Sequence, residues 1–232
     1  MNDADANSPR PVRFATVGFD LDGTLVDSAP DIGNALNHAL GLAGIAPIPI
    51  ERVRPMIGGG AKRLLGQALA ADAGTPRVEQ DRIDGLYAEL LDHYEANIAV
   101  GTTLYPGVLD AIDTLREGGV SVGVATNKLE HLAVRLIDGL GIADRFDAVL
   151  GGDTLGTERA KPERDMLDEL ARRCGGTPAA FIGDSKYDIG AARAAGWPSV
   201  AVTFGYPGDT DLALADARID DYEELLPTLA AL

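Results

Sequence analysis

The stretch Thr16-Val17-Gly18-Phe19-Asp20-Leu21-Asp22-Gly23-Thr24-Leu25-Val26-Asp27 constrains this chain more than any other. It begins as a short apolar run, the composition of a buried strand. Two carboxylates follow at i and i+2, a spacing that sets Asp20 and Asp22 on one side of extended backbone. Gly23 tolerates positive φ and lets the chain turn sharply behind them. Thr24 adds a hydroxyl. Taken alone, the stretch would also serve as a strand-to-turn signal with two solvated acids; residues downstream decide between the two.

Beyond it the pattern becomes helical. Ser28 and Pro30 mark a helix start, and Ile32, Ala35, Leu36, Ala39 and Leu40 recur at helical spacing. Pro47 and Pro49 force an extended break. The helical pattern resumes near Glu51 and is interrupted by Ile57-Gly58-Gly59-Gly60, too glycine-rich for a helix interior. It continues through Leu64, Leu65, Ala68 and Leu69 until Gly74 and Pro76, and returns at Ile83, Leu86, Tyr87, Leu90 and Tyr94. Residues 28–99 therefore read as an inserted all-helical module, with hinges near 27–29 and 100–104. Residues 1–11 read as a disordered polar tail.

From Tyr105-Pro106 onward helix and strand alternate. Strands are expected over 120–125, 148–150, 179–183 and 199–202, with a weaker one around Arg218-Ile219 and a last helix from Tyr222. Alternation of this kind predicts an α/β fold, a parallel sheet covered by helices on both faces. It assigns 12–27 and 100–232 to that core.

Composition narrows the partners. The formal net charge is −16, with the acids spread along the chain. Such a surface argues against nucleic acid and against anionic membranes, both of which attract basic proteins. It leaves room for a small anionic substrate, because a metal and a few lysines override the global field locally. The single cysteine, Cys174, excludes an internal disulfide and fits a reducing compartment, so a cytoplasmic location is expected. The beginning of the sequence lacks the order of a signal peptide, and no apolar run is long enough to cross a bilayer. Monomer and homodimer both remain open.

In an open parallel sheet, ligands sit outside the carboxyl ends of the strands. Four polar groups fall at such ends: the Asp20/Asp22 pair, Thr126-Asn127, Lys161 ahead of a helix expected to open at Lys161-Pro162, and Asp184 with Asp188. Each has an ordinary structural reading, as a loop lysine, a helix cap or a solvated helix acid. Their coincidence points to chemistry. A carboxylate can attack phosphorus to give an aspartyl phosphate, a role for Asp20. Asp20 and Asp184 offer hard oxygens for Mg²⁺, and Asp188 supports that metal site. Lys161 neutralises phosphoryl oxygen and holds Asp20 ionised, while Thr126 and Asn127 donate hydrogen bonds to the same oxygens. Asp22 protonates the leaving oxygen and then activates water.

These four segments resemble the signature motifs of the haloacid dehalogenase superfamily of phosphohydrolases, and the resemblance covers nearly the whole chain after the tail. Within it, residues 22–31, Ile57-Gly58-Gly59-Gly60, Ala125-Thr126-Asn127-Lys128 and residues 182–200 are most similar to the phosphoglycolate phosphatases. The resemblance implies a Rossmann-like core with a helical cap inserted after the first strand. It implies Asp20 as nucleophile, Asp22 as acid/base, and Mg²⁺ held by Asp20, the backbone carbonyl of Asp22 and Asp184. It implies hydrolysis of a small phosphorylated metabolite, 2-phosphoglycolate first, with other sugar or acid phosphates and pyrophosphate as alternatives. An acid at Asp22 favours ester hydrolysis over dehalogenase or phosphonate chemistry. Lys62 and Arg63, directly after the glycine loop, are candidates for reading a substrate carboxylate. A phospho-receiver signalling domain shares the aspartate, Mg²⁺, Thr and Lys, but needs neither Asp22 nor the helical insert.

Overall fold

The strand β1 (Thr16–Phe19) lies at the centre of a parallel sheet, with every residue buried. The computed structural model describes residues 12–71 and 80–232; the 1–11 tail and the helix end expected at Gly74 and Pro76 lie outside them. β1 pairs in parallel with β4 (Ser121–Ala125) on one side and β6 (Ala179–Gly183) on the other. β5 (Ala148–Leu150), β7 (Ser199–Val202) and β8 (Ala217–Ile219) extend the sheet to the order β5-β4-β1-β6-β7-β8. The chain thus builds outward from β1 in one direction, returns beside it, and builds outward in the other. That reversal opens a crevice at the carboxyl end of β1.

The strand period of two assigns the faces. Val17 and Phe19, with Val122, Val124, Ala180 and Ile182 in register beside them, pack against α5 (Val108–Glu117), α6 (Glu130–Gly139) and α9 (Leu225–Ala231). Phe181, pointing the other way, packs against α7 (Asp165–Arg173) and α8 (Lys186–Ala195). Gly18 faces this second side because α7 comes so near: a Cβ there would lie 2.7 Å from Leu170 Cδ2. The fold class is α/β, a parallel sheet with helices on both faces, as the alternation predicted. The last helix, expected from Tyr222, begins at Leu225 after a 3-10 turn over Tyr222–Glu224, and a boundary nearer the strand ends also differs. Lys161-Pro162 does not open a helix; a turn closed by the Glu163 N–H on the Ala160 carbonyl (3.0 Å) intervenes, and α7 begins at Asp165.

Between β1 and β4 the chain makes α1 (Ala29–Leu42), α2 (Ile50–Val53), α3 (Ala61–Ala71) and α4 (Gln80–Ala96). Their apolar stripes form a separate core of Ile32, Leu36, Leu40, Leu65, Leu90 and neighbours, which Leu132 of α6 joins from the sheet side. The Pro47–Pro49 break is pinned by Asn37, whose side chain accepts from Ile48 N (2.7 Å) and donates to Ile48 O (2.9 Å). The chain enters and leaves this helical unit along a two-stranded antiparallel ribbon, β2 (Val26–Asp27) and β3 (Thr103–Leu104). Strands of two residues carry no readable period, so sequence patterning reads these segments only as hinges.

Asp31 ties the exit of the ribbon to its entrance. Its buried carboxylate accepts from Gly101 N (2.8 Å), Thr102 N (2.9 Å) and Thr102 Oγ1 (2.7 Å). Truncation strands the buried Thr102 N–H and hydroxyl. Asp31→Ala should therefore lower unfolding stability by about 2–4 kcal/mol, read as a shift of the urea midpoint; a shift worth under about 1 kcal/mol would rule out this role.

Candidate active site

Past Phe19 the chain continues one step of sheet pairing, with Asp20 N donating to Ile182 O at 2.9 Å. It then turns so tightly that the Leu21 carbonyl accepts from Leu25 N (3.0 Å) and Val26 N (3.1 Å). Gly23, at φ +83°, makes this turn, and any Cβ there would collide with the Asp184 carboxylate. The turn thereby presents Asp20 beside Asp184, which lies just past the end of β6.

Lys161 binds the cluster together. Its ammonium lies 2.8 Å from Asp20 Oδ1 and 2.6 Å from Asp188 Oδ1, and its side chain is 1% exposed. The other oxygen of Asp188 accepts from Ser185 N (2.9 Å), Ser185 Oγ (2.6 Å) and Asp184 N (3.2 Å), closing a capping box on α8. Asp188 is thus both a helix cap and a lysine anchor. Asp184 Oδ2 accepts the Tyr206 N–H at 2.5 Å.

Asp20, Asp184 and Asp188 each bring a carboxylate oxygen within 4.8 Å of the others. Three buried carboxylates thus face the single ammonium of Lys161. Burial, reinforced by Asp188 and Asp22, pushes the Asp20 carboxyl up to about 7 against the pull of Lys161. Burial, together with Asp188 and Asp20, likewise pushes Asp184 well above the usual carboxylate range. Burial opposes the Lys161 charge, yet Asp188 and Asp20 outweigh it and raise that ammonium. Hard oxygens and uncompensated negative charge fit a divalent cation such as Mg²⁺. Both oxygens of Asp188 already hold partners, so Asp20 and Asp184 have the lone pairs to spare. The Asp22 side chain does not belong to this cluster.

Asp22 instead accepts from Ser28 Oγ at 2.6 Å through Oδ1 and meets Lys128 Nζ at 2.9 Å through Oδ2. Ser28 occupies the N-cap position of α1 but caps nothing; its hydroxyl is turned to Asp22. Thr126 is buried at the end of β4, where its Oγ1 accepts from Lys128 N at 3.3 Å. Asn127 departs from expectation. Its amide nitrogen donates to Gly58 O (3.0 Å) and Lys161 O (3.1 Å), tying the glycine loop and the lysine loop together. It has its oxygen, not its donors, left unpartnered.

Asp20, Asp22, Thr126, Asn127, Lys128 and Lys161 line one cavity of about 350 Å³ between the sheet and the helical unit, while Asp184 and Asp188 are not among its lining residues. Gly58, Gly59 and Gly60 line it, so the glycine loop does dip to the site. Lys62 lines it too, but its ammonium turns outward to Asp84 at 3.3 Å, with the lysine side chain 64% exposed. Arg63 is not among the lining residues; its guanidinium stacks 5.9 Å from the centre of the Tyr187 ring. The sequence patterns gave Lys128, Ser28, Tyr94 and Tyr206 no place in the site. The available signal was the lysine directly following the strand-end Thr126-Asn127 pair.

A raised carboxyl in the folded state binds more protons than its unfolded counterpart, so its contribution to stability is full at low pH and is lost as pH rises through the folded value. Ion-free protein should therefore lose thermal stability between about pH 3.8 and about pH 7 through Asp20. Mg²⁺ should raise the melting temperature more at pH 8 than at pH 5. Asp20→Asn, by removing one buried charge, should raise the melting temperature in chelator at pH 8, on the order of 5 °C. A lower melting temperature for that variant would contradict the charge balance described.

Comparison with known proteins agrees with this geometry. A family model described as haloacid dehalogenase-like hydrolase matches residues 14–196. The chain is 39% identical over 217 residues to a phosphoglycolate phosphatase of Agrobacterium fabrum (strain C58), covering 91% of this chain and 90% of that one. It is 38% identical over 235 residues to a phosphoglycolate phosphatase of Salmonella paratyphi A, covering 92% and 91%. Among solved structures, a predicted phosphoglycolate phosphatase from Haemophilus somnus 129PT superposes with a TM-score of 0.86 at 31% identity, covering 93% of this chain and 97% of that one. With the acidic cluster, the buried lysine and the helical insert set where these motifs require, the chain belongs to the haloacid dehalogenase-like hydrolases.

Proposed function

We propose that this hydrolase is a Mg²⁺-dependent phosphatase that cleaves 2-phosphoglycolate to glycolate and phosphate through an aspartyl phosphate on Asp20. Family and relatives make the protein a phosphoric monoester hydrolase. One observation carries the finer reading. Asp20 and Asp22 line the same cavity, one held by Lys161 (2.8 Å) and the other by Lys128 (2.9 Å), with helical-unit residues forming the opposite wall.

In the first step an Asp20 carboxylate oxygen attacks phosphorus, the bond to the leaving oxygen breaks, and Asp22 supplies a proton to that oxygen. In the second, Asp22 takes a proton from water, the water oxygen bonds to phosphorus, and the phosphorus–Asp20 bond breaks. Lys161 offsets charge on the phosphoryl oxygens, and Thr126 provides a hydroxyl at the end of β4. Asp20 and Asp184 would hold Mg²⁺, which would supply the remaining positive charge on the phosphoryl group. The helical unit acts as a cap that excludes water while the ester is cleaved, with the β2–β3 ribbon as its stalk. A receiver domain would retain its phosphoryl group as a signal; Asp22 beside Asp20 favours turnover.

Asp20→Asn should abolish turnover, and chelator should do the same reversibly with Mg²⁺. Asp22→Asn should slow turnover on the order of a hundredfold or more and leave a phosphoryl adduct visible in the intact mass. Phosphoglycolate should lead a panel that includes sugar phosphates and pyrophosphate. Turnover that survives both Asp20→Asn and chelator rejects the mechanism, and a sugar phosphate or pyrophosphate at the head of the panel rejects the substrate.

A further inference from the structure

Lys128 and Tyr94 form a second polar locus in the cavity that the steps above leave without a ligand. The Lys128 ammonium stands 2.9 Å from Asp22 Oδ2 and 4.5 Å from the centre of the Tyr94 ring, with its side chain 7% exposed. Tyr94 projects from α4 across the seam, is 4% exposed, and turns its buried hydroxyl to the Lys128 ammonium. A hydroxyl and an ammonium so placed offer donors on one wall of the cavity, and an anionic oxygen is the acceptor that suits both. Both residues line the cavity. The wall around them is apolar, with Ile32, Leu90, Leu91 and Leu132. In such surroundings a charge-assisted bond discriminates strongly.

Resting on the phosphatase reading above, we infer that Lys128 and Tyr94 bind a carboxylate on the leaving group and so select short phosphorylated acids. Position sets the length. Asp22 is the group that protonates the ester oxygen, and Lys128 is one hydrogen bond from Asp22. The anion that Lys128 accepts must lie close to the ester oxygen, on the carbon bearing it or the next. Phosphoglycolate meets this condition; a hexose monophosphate has no anion there. Lys62 and Arg63, the cations first suspected, are turned to solvent or stacked on Tyr187 and do not supply this contact.

The test compares kcat/KM for 2-phosphoglycolate with that for ethyl phosphate, which has a methyl group in place of the carboxylate. Wild type should favour phosphoglycolate strongly. In Lys128→Met that preference should fall tenfold to a hundredfold, on the order expected for a hydrogen bond to a charged group, mainly through KM. A fall under fivefold overturns the inference, because a lysine acting only through Asp22 would slow both esters alike. Tyr94→Phe removes the hydroxyl and keeps the ring, so it reports even if Lys128→Met fails to fold. Its preference should fall about threefold, and no change there overturns the role of Tyr94 and, with Lys128→Met unfolded, the inference itself. Wild type lacking any preference for phosphoglycolate defeats the substrate reading and this one together. Wild type that discriminates while both variants discriminate equally well defeats this one alone.

Discussion

One buried ammonium organises the catalytic end of this protein. Lys161 joins Asp20, from the end of the central strand, to Asp188, from the first turn of α8. Asp188 in turn holds the Ser185 and Asp184 backbone N–H groups, so the loop that carries Asp184 is shaped by the same contact. Burying charge is costly unless it is paired, and here the pairing is incomplete by design of the residue set: three carboxylates share one lysine. Burial, reinforced by that deficit, accounts for the upward displacement of Asp20 and Asp184. Hard oxygens with negative charge left over are the donor set that suits a divalent cation.

The helical unit is coupled to that cluster through side chains as well as through the ribbon. Tyr206 donates its backbone N–H to Asp184 and its hydroxyl to Asp27 at 2.5 Å. Arg54, on the helical side, bonds both oxygens of Asp27, at 2.9 and 2.8 Å, and lies over the Tyr206 ring. Burial alone would raise the Asp27 carboxyl; the bonds from Arg54 and Tyr206 more than offset it and hold it below its ordinary value. The Asp184 carboxylate, a sheet-side tyrosine, the ribbon at the base of the helical unit and a helical-side arginine are thus contiguous. Planar bidentate pairing of this kind fixes orientation as well as distance.

Much of this was readable from residue order. The alternation after Tyr105, the apolar stripe of α4 and the terminal acids of β1 and β6 each follow from local periodicity, and each is where patterning places it. What patterning reads poorly has a common cause. The β2–β3 ribbon is two residues long on each side, so its identity lies in a pairing between positions about 77 residues apart in the chain. Lys161 precedes a proline that reads as a helix start, and only the turn at Ala160–Glu163 displaces α7 to Asp165. Asn127 and Ser28 are cap-type residues whose side chains are recruited by remote partners, Gly58 and Asp22. Lys62 and Arg63 follow the glycine loop in sequence, but a helix turns successive side chains about 100° apart, and neither cation ends up aimed into the cavity.

The sequence by itself determined the fold class, the order of the strands along the chain, and the chemical types available at their carboxyl ends. These depend on periods of 2 and 3.6 residues and on short motifs, all of which are local. The tertiary structure alone decided which charges meet: that Lys161 bridges Asp20 and Asp188, that Lys128 and Ser28 hold Asp22, and that Tyr94 faces Lys128 across the seam. Those contacts are set by the packing of one element on another. The energy of a buried charge depends on every neighbour within a few ångströms, whatever its distance along the chain.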